Sequence, residues 1–278
     1  MNLRGRFKEN TIINKKYVAY RMNTVSLINT LSFHNMCSAE NLNCVHENFL
    51  LCKPLKNIDD RKLTIRVCRG KMSDPSKTAP TRTIRGVDLW ETWLSTEHQI
   101  QMLADIRRIV SQAPLFEPVT PSGKKMSVRM TSAGRYGWVT DKRGYRYQPN
   151  HPTGTKWPPI PRSVLNVWHT LSGASRSPDC CLVNFYQTGA RMGLHQDRDE
   201  ADFNQPVLSI SLGDEALFRI GNETKGGKTE SLWLRSGDVI RLGGAARLIH
   251  HGIDRIKSGS STLLKNGGRI NLTLRVVS

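Results

Sequence analysis

The stretch that most constrains this chain is near its end, where residues 269–276 read RINLTLRV and alternate polar with apolar without a break. Successive side chains of a strand leave opposite faces, so Ile270, Leu272, Leu274 and Val276 share one side and Arg269, Asn271, Thr273 and Arg275 the other. Two arginines on one strand face must meet solvent or find anions. Solvent is the ordinary outcome, but residues 180–187 repeat the oddity, with Asn184 and Tyr186 on the face of Leu182. Arginine grips carboxylates in bidentate fashion, and Asn and Tyr add directed hydrogen bonds, so the two strands together suit a small dicarboxylate.

The neighbouring sequence predicts the frame for such strands. After residue 180 come short alternating or apolar runs, CCLVNFYQ, PVLSISLG, EALFRIG, ESLWLRSGDVIRLGG and GRINLTLRVV, separated by Gly, Asp and Asn turns. Before them, Thr96 with Gln99 suggests a capping box, and Met102, Leu103, Ile106, Ile109 and Val110 follow at helical spacing until Pro114. A second helix is expected with Pro161 in its first turn, through Val164, Val167, Trp168 and Leu171, to a stop at Gly173. Residues 117–159, rich in Gly, Tyr and Pro, carry no predicted element. Two helices followed by an antiparallel sandwich or barrel make an α+β, mainly β chain.

A metal site is written beside the dicarboxylate face. In GLHQDRDE, His195 and Asp197 stand one residue apart, and RLIHHGI offers His250 and His251 before a Gly-containing turn. Two histidines and one carboxylate form the facial triad of a non-haem Fe(II) oxygenase, leaving positions open for a bidentate ligand and O2. His-x-Asp alone is more often a surface turn; the distal histidine and the two-arginine strand give it weight.

From about Gln112 onward the chain resembles the AlkB family of Fe(II)- and 2-oxoglutarate-dependent nucleic-acid dealkylating dioxygenases. The matching strings are VTPSGKKMSVRMT, GWVTDKRGYRY, CLVNFYQTGARMGLHQDRDE, SISLG, SGDVI, RLIHHGI and RINLTLR, in family order. The resemblance implies a double-stranded β-helix (jelly roll) with flanking helices and a nucleotide-recognition lid at about 119–148. It implies iron held by His195, Asp197 and His251, the histidine before Gly-Ile, with His250 a packed neighbour. It implies 2-oxoglutarate held by Asn184, Tyr186, Arg269, Asn271 and Arg275, with Ser211 lining the same pocket; Arg269 is the better candidate for the far carboxylate and Arg275 for the near end, which the sequence alone does not settle. In the lid it implies Trp138 stacked on a flipped base, Tyr145 at a flanking phosphate, Asp199 facing the base, and Thr120, Met126 and Met130 bordering the nucleotide. Lys124 departs from the pattern, a cation where a Tyr is expected.

The implied reaction is oxidative demethylation of 1-methyladenine or 3-methylcytosine in single-stranded DNA, or RNA, with Fe(II), 2-oxoglutarate and O2. A formal net charge of +18 and a pI near 10.0 suit an anionic partner. Rival readings are an oxygenase acting on RNA or protein, a nucleic-acid-binding protein with an inactive site, and a zinc hydrolase using the same ligands. No run approaches the roughly 20 apolar residues of a membrane helix. The six cysteines, with Cys180 and Cys181 adjacent, form no disulfide ladder, so a reducing, cytoplasmic compartment is expected; a monomer is the plain expectation for oligomeric state. Residues 1–71 hold Cys37, Cys44, Cys52 and Cys68 without a Cys-x-x-Cys spacing, are basic at their start, and loosely resemble a transit peptide there. Met72 opens a polar lead-in typical of a natural start. Residues 1–80 are therefore expected to be a basic extension, disordered or an over-extended start, and 81–278 the dioxygenase domain.

Overall fold

The computed structural model describes residues 78–278, within one unit spanning Lys71–Ser278. All but the last three residues of the expected 1–80 extension, its four cysteines included, lie outside the described residues.

The elements in chain order are β1 (Arg82–Ile84), β2 (Val87–Trp90), α1 (Thr96–Gln112), β3 (Val128–Gly134), β4 (Gly137–Asp141), β5 (Gly144–Gln148), α2 (Arg162–Leu171), β6 (Cys180–Tyr186), β7 (Met192–His195), β8 (Val207–Gly213), β9 (Glu215–Ile220), β10 (Glu230–Leu234), β11 (Val239–Leu242), β12 (His251–Lys257) and β13 (Arg269–Arg275). They form a seven-stranded sheet, β1-β2-β11-β8-β13-β6-β3, a four-stranded sheet, β10-β9-β12-β7, and a separate β4–β5 ribbon. Every pairing is antiparallel, and the architecture is the expected jelly roll with helices outside.

β13 organises the large sheet, pairing along its length with β6 on one side and β8 on the other. Its apolar face, Ile270, Leu272 and Leu274, joins Met102, Ile106 and Ile109 of α1 and Val164, Val167 and Trp168 of α2 in one core. Its polar face is buried too: Arg269 is 1% and Arg275 6% exposed, so the solvent alternative does not hold. A second core, which includes Leu182, Tyr186, Phe218, Ile220 and Ile253, joins inner faces of both sheets.

Several boundaries differ from expectation. Helix α1 is capped by Ser95 rather than Thr96, because the extended backbone at Ser95 lets its Oγ accept the His98 N–H at 3.3 Å. Gln99 turns back instead, its Nε2 donating to the Leu94 carbonyl at 2.9 Å. Pro161 is the cap of α2, just outside its first turn. The 117–159 stretch is not featureless: β3 is an edge strand of the large sheet, and the run β1–β5 escaped notice in the sequence. Nearly every residue of β3 is buried on one face or the other, Thr131 and Ser132 included, which erases the polar–apolar alternation. The expected lid is therefore not one piece. What stands apart from the large sheet is the loop before β3 together with the β4–β5 ribbon.

His251 opens strand β12 rather than a turn, directly opposite His195 of β7. Gly252 permits that approach, since a Cβ there would lie 2.6 Å from the Met192 carbonyl oxygen and 2.7 Å from that of Gly193. Gly252→Ala must push β7 away, and urea unfolding is expected to show a loss of about 1–3 kcal/mol.

Candidate active site

Two strands and the loop after β7 bring three ligand-bearing side chains together. Nitrogen or oxygen atoms of His195, Asp197 and His251 all lie within 4.8 Å of one another. Asp197 Oδ1 is 3.8 Å from His195 Nε2, and Oδ2 is 3.7 Å from His251 Nε2. In each histidine Nδ1 faces a backbone carbonyl, Gly193 O at 2.9 Å and Ile249 O at 3.0 Å. A carbonyl can only accept, so Nδ1 carries the proton and the Nε2 lone pair faces the carboxylate.

The electrostatics keep Asp197 and His251 in their ligating forms. Burial brings the His251 imidazole down to about 4, with the nearby His195 adding to the effect, so the ring is neutral near pH 7. Burial works to raise the Asp197 carboxyl, but the Arg275 guanidinium and the two histidines override it and hold it well below the usual carboxylate range. Asp197 Oδ2 is buried and has no hydrogen-bond partner. Two imidazole nitrogens and a carboxylate within 4.8 Å of one another, with one carboxylate oxygen buried and unpartnered, fit a divalent cation.

Beside the triad, the polar faces of the neighbouring strands β13 and β6 lie side by side and line a cavity of about 1030 Å3. Arg269 lies with its guanidinium 5.2 Å from the centre of the Tyr186 ring and donates from Nη2 to Ser211 Oγ at 2.9 Å. Its Nε and Nη1 are buried without a partner, so a guanidinium taken out of water keeps donors free for an anion. Burial pushes the Tyr186 phenol up to about 12, so it remains a donor. Ser211 is not among the cavity's lining residues; it is a hydrogen-bond partner of Arg269. Asn271 lines the cavity but is saturated, donating to Ser209 Oγ at 2.6 Å and to Ile210 O at 3.3 Å, and accepting from Asn184 at 3.1 Å and Thr273 at 3.0 Å. It orients Asn184, whose Oδ1 is buried and unpartnered.

Arg275 is already engaged. It donates from Nη2 to Asp197 Oδ1 at 2.7 Å and from Nη1 to the Tyr147 hydroxyl at 3.0 Å, with Nε 3.4 Å from Glu200 Oε1. Glu200 also takes Arg247 at 3.0 Å, both side chains almost fully buried. Glu200, Tyr147 and Arg247 were missed in the sequence because Glu200 sits in the run Asp197-Arg198-Asp199-Glu200, which looks like a solvated charged loop. The signal lay in no local period.

The predicted base-facing residues gather at the more open side. Trp138 and Tyr145 stack on each other, centroids 5.4 Å apart and planes 16° from parallel, and Trp138 Nε1 donates to Asp199 Oδ2 at 2.9 Å. Thr120, Met126 and Met130 line the same cavity, with the Thr120 hydroxyl closing a turn by accepting the Lys124 N–H at 3.1 Å. His250 packs against the hairpin at 221–229, its Nδ1 2.9 Å from Asn222 O.

Comparison with known proteins agrees with this geometry. Residues 86–275 match the model of the 2OG-Fe(II) oxygenase superfamily. The chain is 52% identical over 197 residues to an alpha-ketoglutarate-dependent dioxygenase AlkB homolog of Caulobacter vibrioides, covering 70% of this chain and 90% of that protein. It is 41% identical over 180 residues to the alpha-ketoglutarate-dependent dioxygenase AlkB of Escherichia coli, covering 63% and 83%. The solved structure of OsALKBH1 superposes with a TM-score of 0.61 at 30% identity, covering 70% of this chain and 98% of that one.

Two adjacent acids are expected to differ in what their loss costs. Glu200→Ala leaves Arg247 buried and unpaired and should cost about 3–5 kcal/mol in urea unfolding. Asp199→Ala removes one exposed hydrogen bond and should cost about 1 kcal/mol or less by the same measurement.

Proposed function

The chain belongs to the AlkB family of Fe(II)- and 2-oxoglutarate-dependent dioxygenases, and from that premise we propose that it oxidatively demethylates N-alkylated bases in single-stranded DNA, as a cytoplasmic monomer that repairs alkylation damage. The observation that carries this reading is the pairing, in one cavity, of buried unpartnered groups at Asp197 and Arg269 with the Trp138–Tyr145 stack and the Asp199 carboxylate. Bound iron with 2-oxoglutarate and O2 supplies the oxidation of the N-methyl carbon, after which the hydroxymethylated base releases formaldehyde.

His195, Asp197 and His251 would hold the iron, each histidine fixed in one tautomer by its carbonyl contact. The Arg269 guanidinium would take the far carboxylate of 2-oxoglutarate, since it is buried with donors free and no carboxylate of the protein pairs it, with Tyr186 and Asn184 beside it. Arg275, bonded to Asp197, would face the nearer end. Two fixed arginines orient the co-substrate without rearrangement during the reaction, which is the protein's part in lowering the barrier.

At the open side, Trp138 would stack on the extruded base and Tyr145, half exposed, would reach a flanking phosphate. Adenine methylated at N1 and cytosine methylated at N3 are cationic, and the Asp199 carboxylate favours that form and can accept from the exocyclic amine. An unpaired base costs less to extrude than a paired one, which favours single strands. The net charge of +18 fits a polyanionic substrate, and no helix among the described residues is long and apolar enough to cross a membrane.

The test is mass spectrometry of a single-stranded DNA oligomer carrying one 1-methyladenine, incubated with Fe(II), ascorbate and 2-oxoglutarate beside an RNA twin. The methyl group is expected to leave the DNA as formaldehyde, and to stay in place with the His251→Ala protein. Succinate without demethylation would discard the base as substrate, and faster reaction of the RNA twin would reassign the nucleic acid.

A further inference from the structure

Two side-chain hydrogen bonds join the β4–β5 ribbon to the loop that carries Asp197, and they differ in kind. Trp138 donates to Asp199, which is exposed. Tyr147 donates to Glu200 Oε1 inside the protein, and its oxygen accepts from Arg275 Nη1 at 3.0 Å. The same guanidinium holds Asp197 Oδ1 at 2.7 Å. Arg247 braces the loop from its other side, donating to Glu200 Oε2 at 3.0 Å, the Asp197 carbonyl at 2.6 Å and the Gln205 carbonyl at 2.8 Å.

One phenol on the ribbon thus stands two hydrogen bonds from a carboxylate of the triad. In the ribbon's register Tyr147 lies directly opposite Trp138, the residue assigned to the base. We propose that Tyr147, acting through Arg275 and Glu200, is a positioning residue that couples the ribbon over the base to the Asp197 carboxylate, and so ties 2-oxoglutarate consumption to the presence of a substrate base. This deepens the demethylase reading and rests on it.

The physical case is one of satisfied groups. The Tyr147 hydroxyl uses its proton on a carboxylate and a lone pair on a guanidinium, both buried. Lifting the ribbon would leave Arg275 Nη1 and a lone pair of Glu200 Oε1 buried without the Tyr147 partner, so the guanidinium turns to recover it, and Asp197 Oδ1 turns with it. The Trp138–Asp199 bond lies where an entering base can replace it. A base that replaces that bond therefore shifts a ribbon whose other tie, Tyr147, is bonded to Arg275, and the shift reaches Asp197.

The test is Tyr147→Phe, which removes one oxygen and keeps the ring. Its urea midpoint serves as the control for folding. Succinate formed per formaldehyde released from the 1-methyladenine oligomer is expected to rise about threefold or more, the range of coupling changes from single substitutions. Amide hydrogen exchange across residues 137–148 of the metal-free protein is expected to quicken. A residue that only supports the fold lowers both products together, and an unchanged ratio overturns the proposal. If the wild-type protein forms succinate but no formaldehyde, the demethylase reading has failed, and the exchange experiment decides alone: unaltered exchange in Tyr147→Phe overturns the coupling.

Discussion

The structure depends on one constraint, the burial of two arginines on the inner face of β13. A guanidinium cannot shed its proton, so each one taken out of water requires partners. The two are resolved differently. Arg275 is neutralised from within by Asp197 and Glu200, and its charge is held well in place because those carboxylates outweigh the effect of burial. Arg269 has a serine hydroxyl and an aromatic face but no carboxylate, and burial weakens its hold on its proton. The fold leaves one arginine for the protein and one for a ligand.

That asymmetry ties the metal to the co-substrate. The carboxylate that satisfies Arg275 is the same one that faces the two histidine lone pairs, so the strand that grips the dicarboxylate also orients the triad. The outer face of β13, locked into the helical core, fixes both arginines to the most buried part of the large sheet. The ribbon bearing Trp138 sits where the cavity opens, reached by an exposed bond at Asp199 and a buried one at Tyr147. Rigid chemistry lies deep and adaptable recognition near the surface, as expected for a site that must admit a flipped base.

The legible part of this design was local. The period of β13 announced a strand with a polar face, and the same period in β6 placed Asn184 and Tyr186 beside it. His195-x-Asp197 and the His250-His251 pair supplied the ligand types, while the choice of His251 and the lid contacts came from resemblance. What escaped was set by tertiary context. β3 hid because both its faces are covered, and Glu200 hid because its partners Arg247 and Tyr147 lie far away in the chain. The cap of α1 slipped by one residue because Ser95 and Thr96 are both good caps, and only the backbone angle decides between them.

Anaerobic calorimetry of the Fe(II)-loaded protein decides whether Arg269, with Nε and Nη1 buried and free, awaits a carboxylate. Two keto acids are compared: 2-oxoglutarate and 2-oxobutanoate, which keeps the keto-acid head but lacks the far carboxylate. 2-Oxoglutarate is expected to bind about tenfold or more tightly, the worth of a charge-assisted hydrogen bond of about 1.5–3 kcal/mol, and Arg269→Met to remove the difference. Equal affinity of the two acids for the wild-type protein would contradict it.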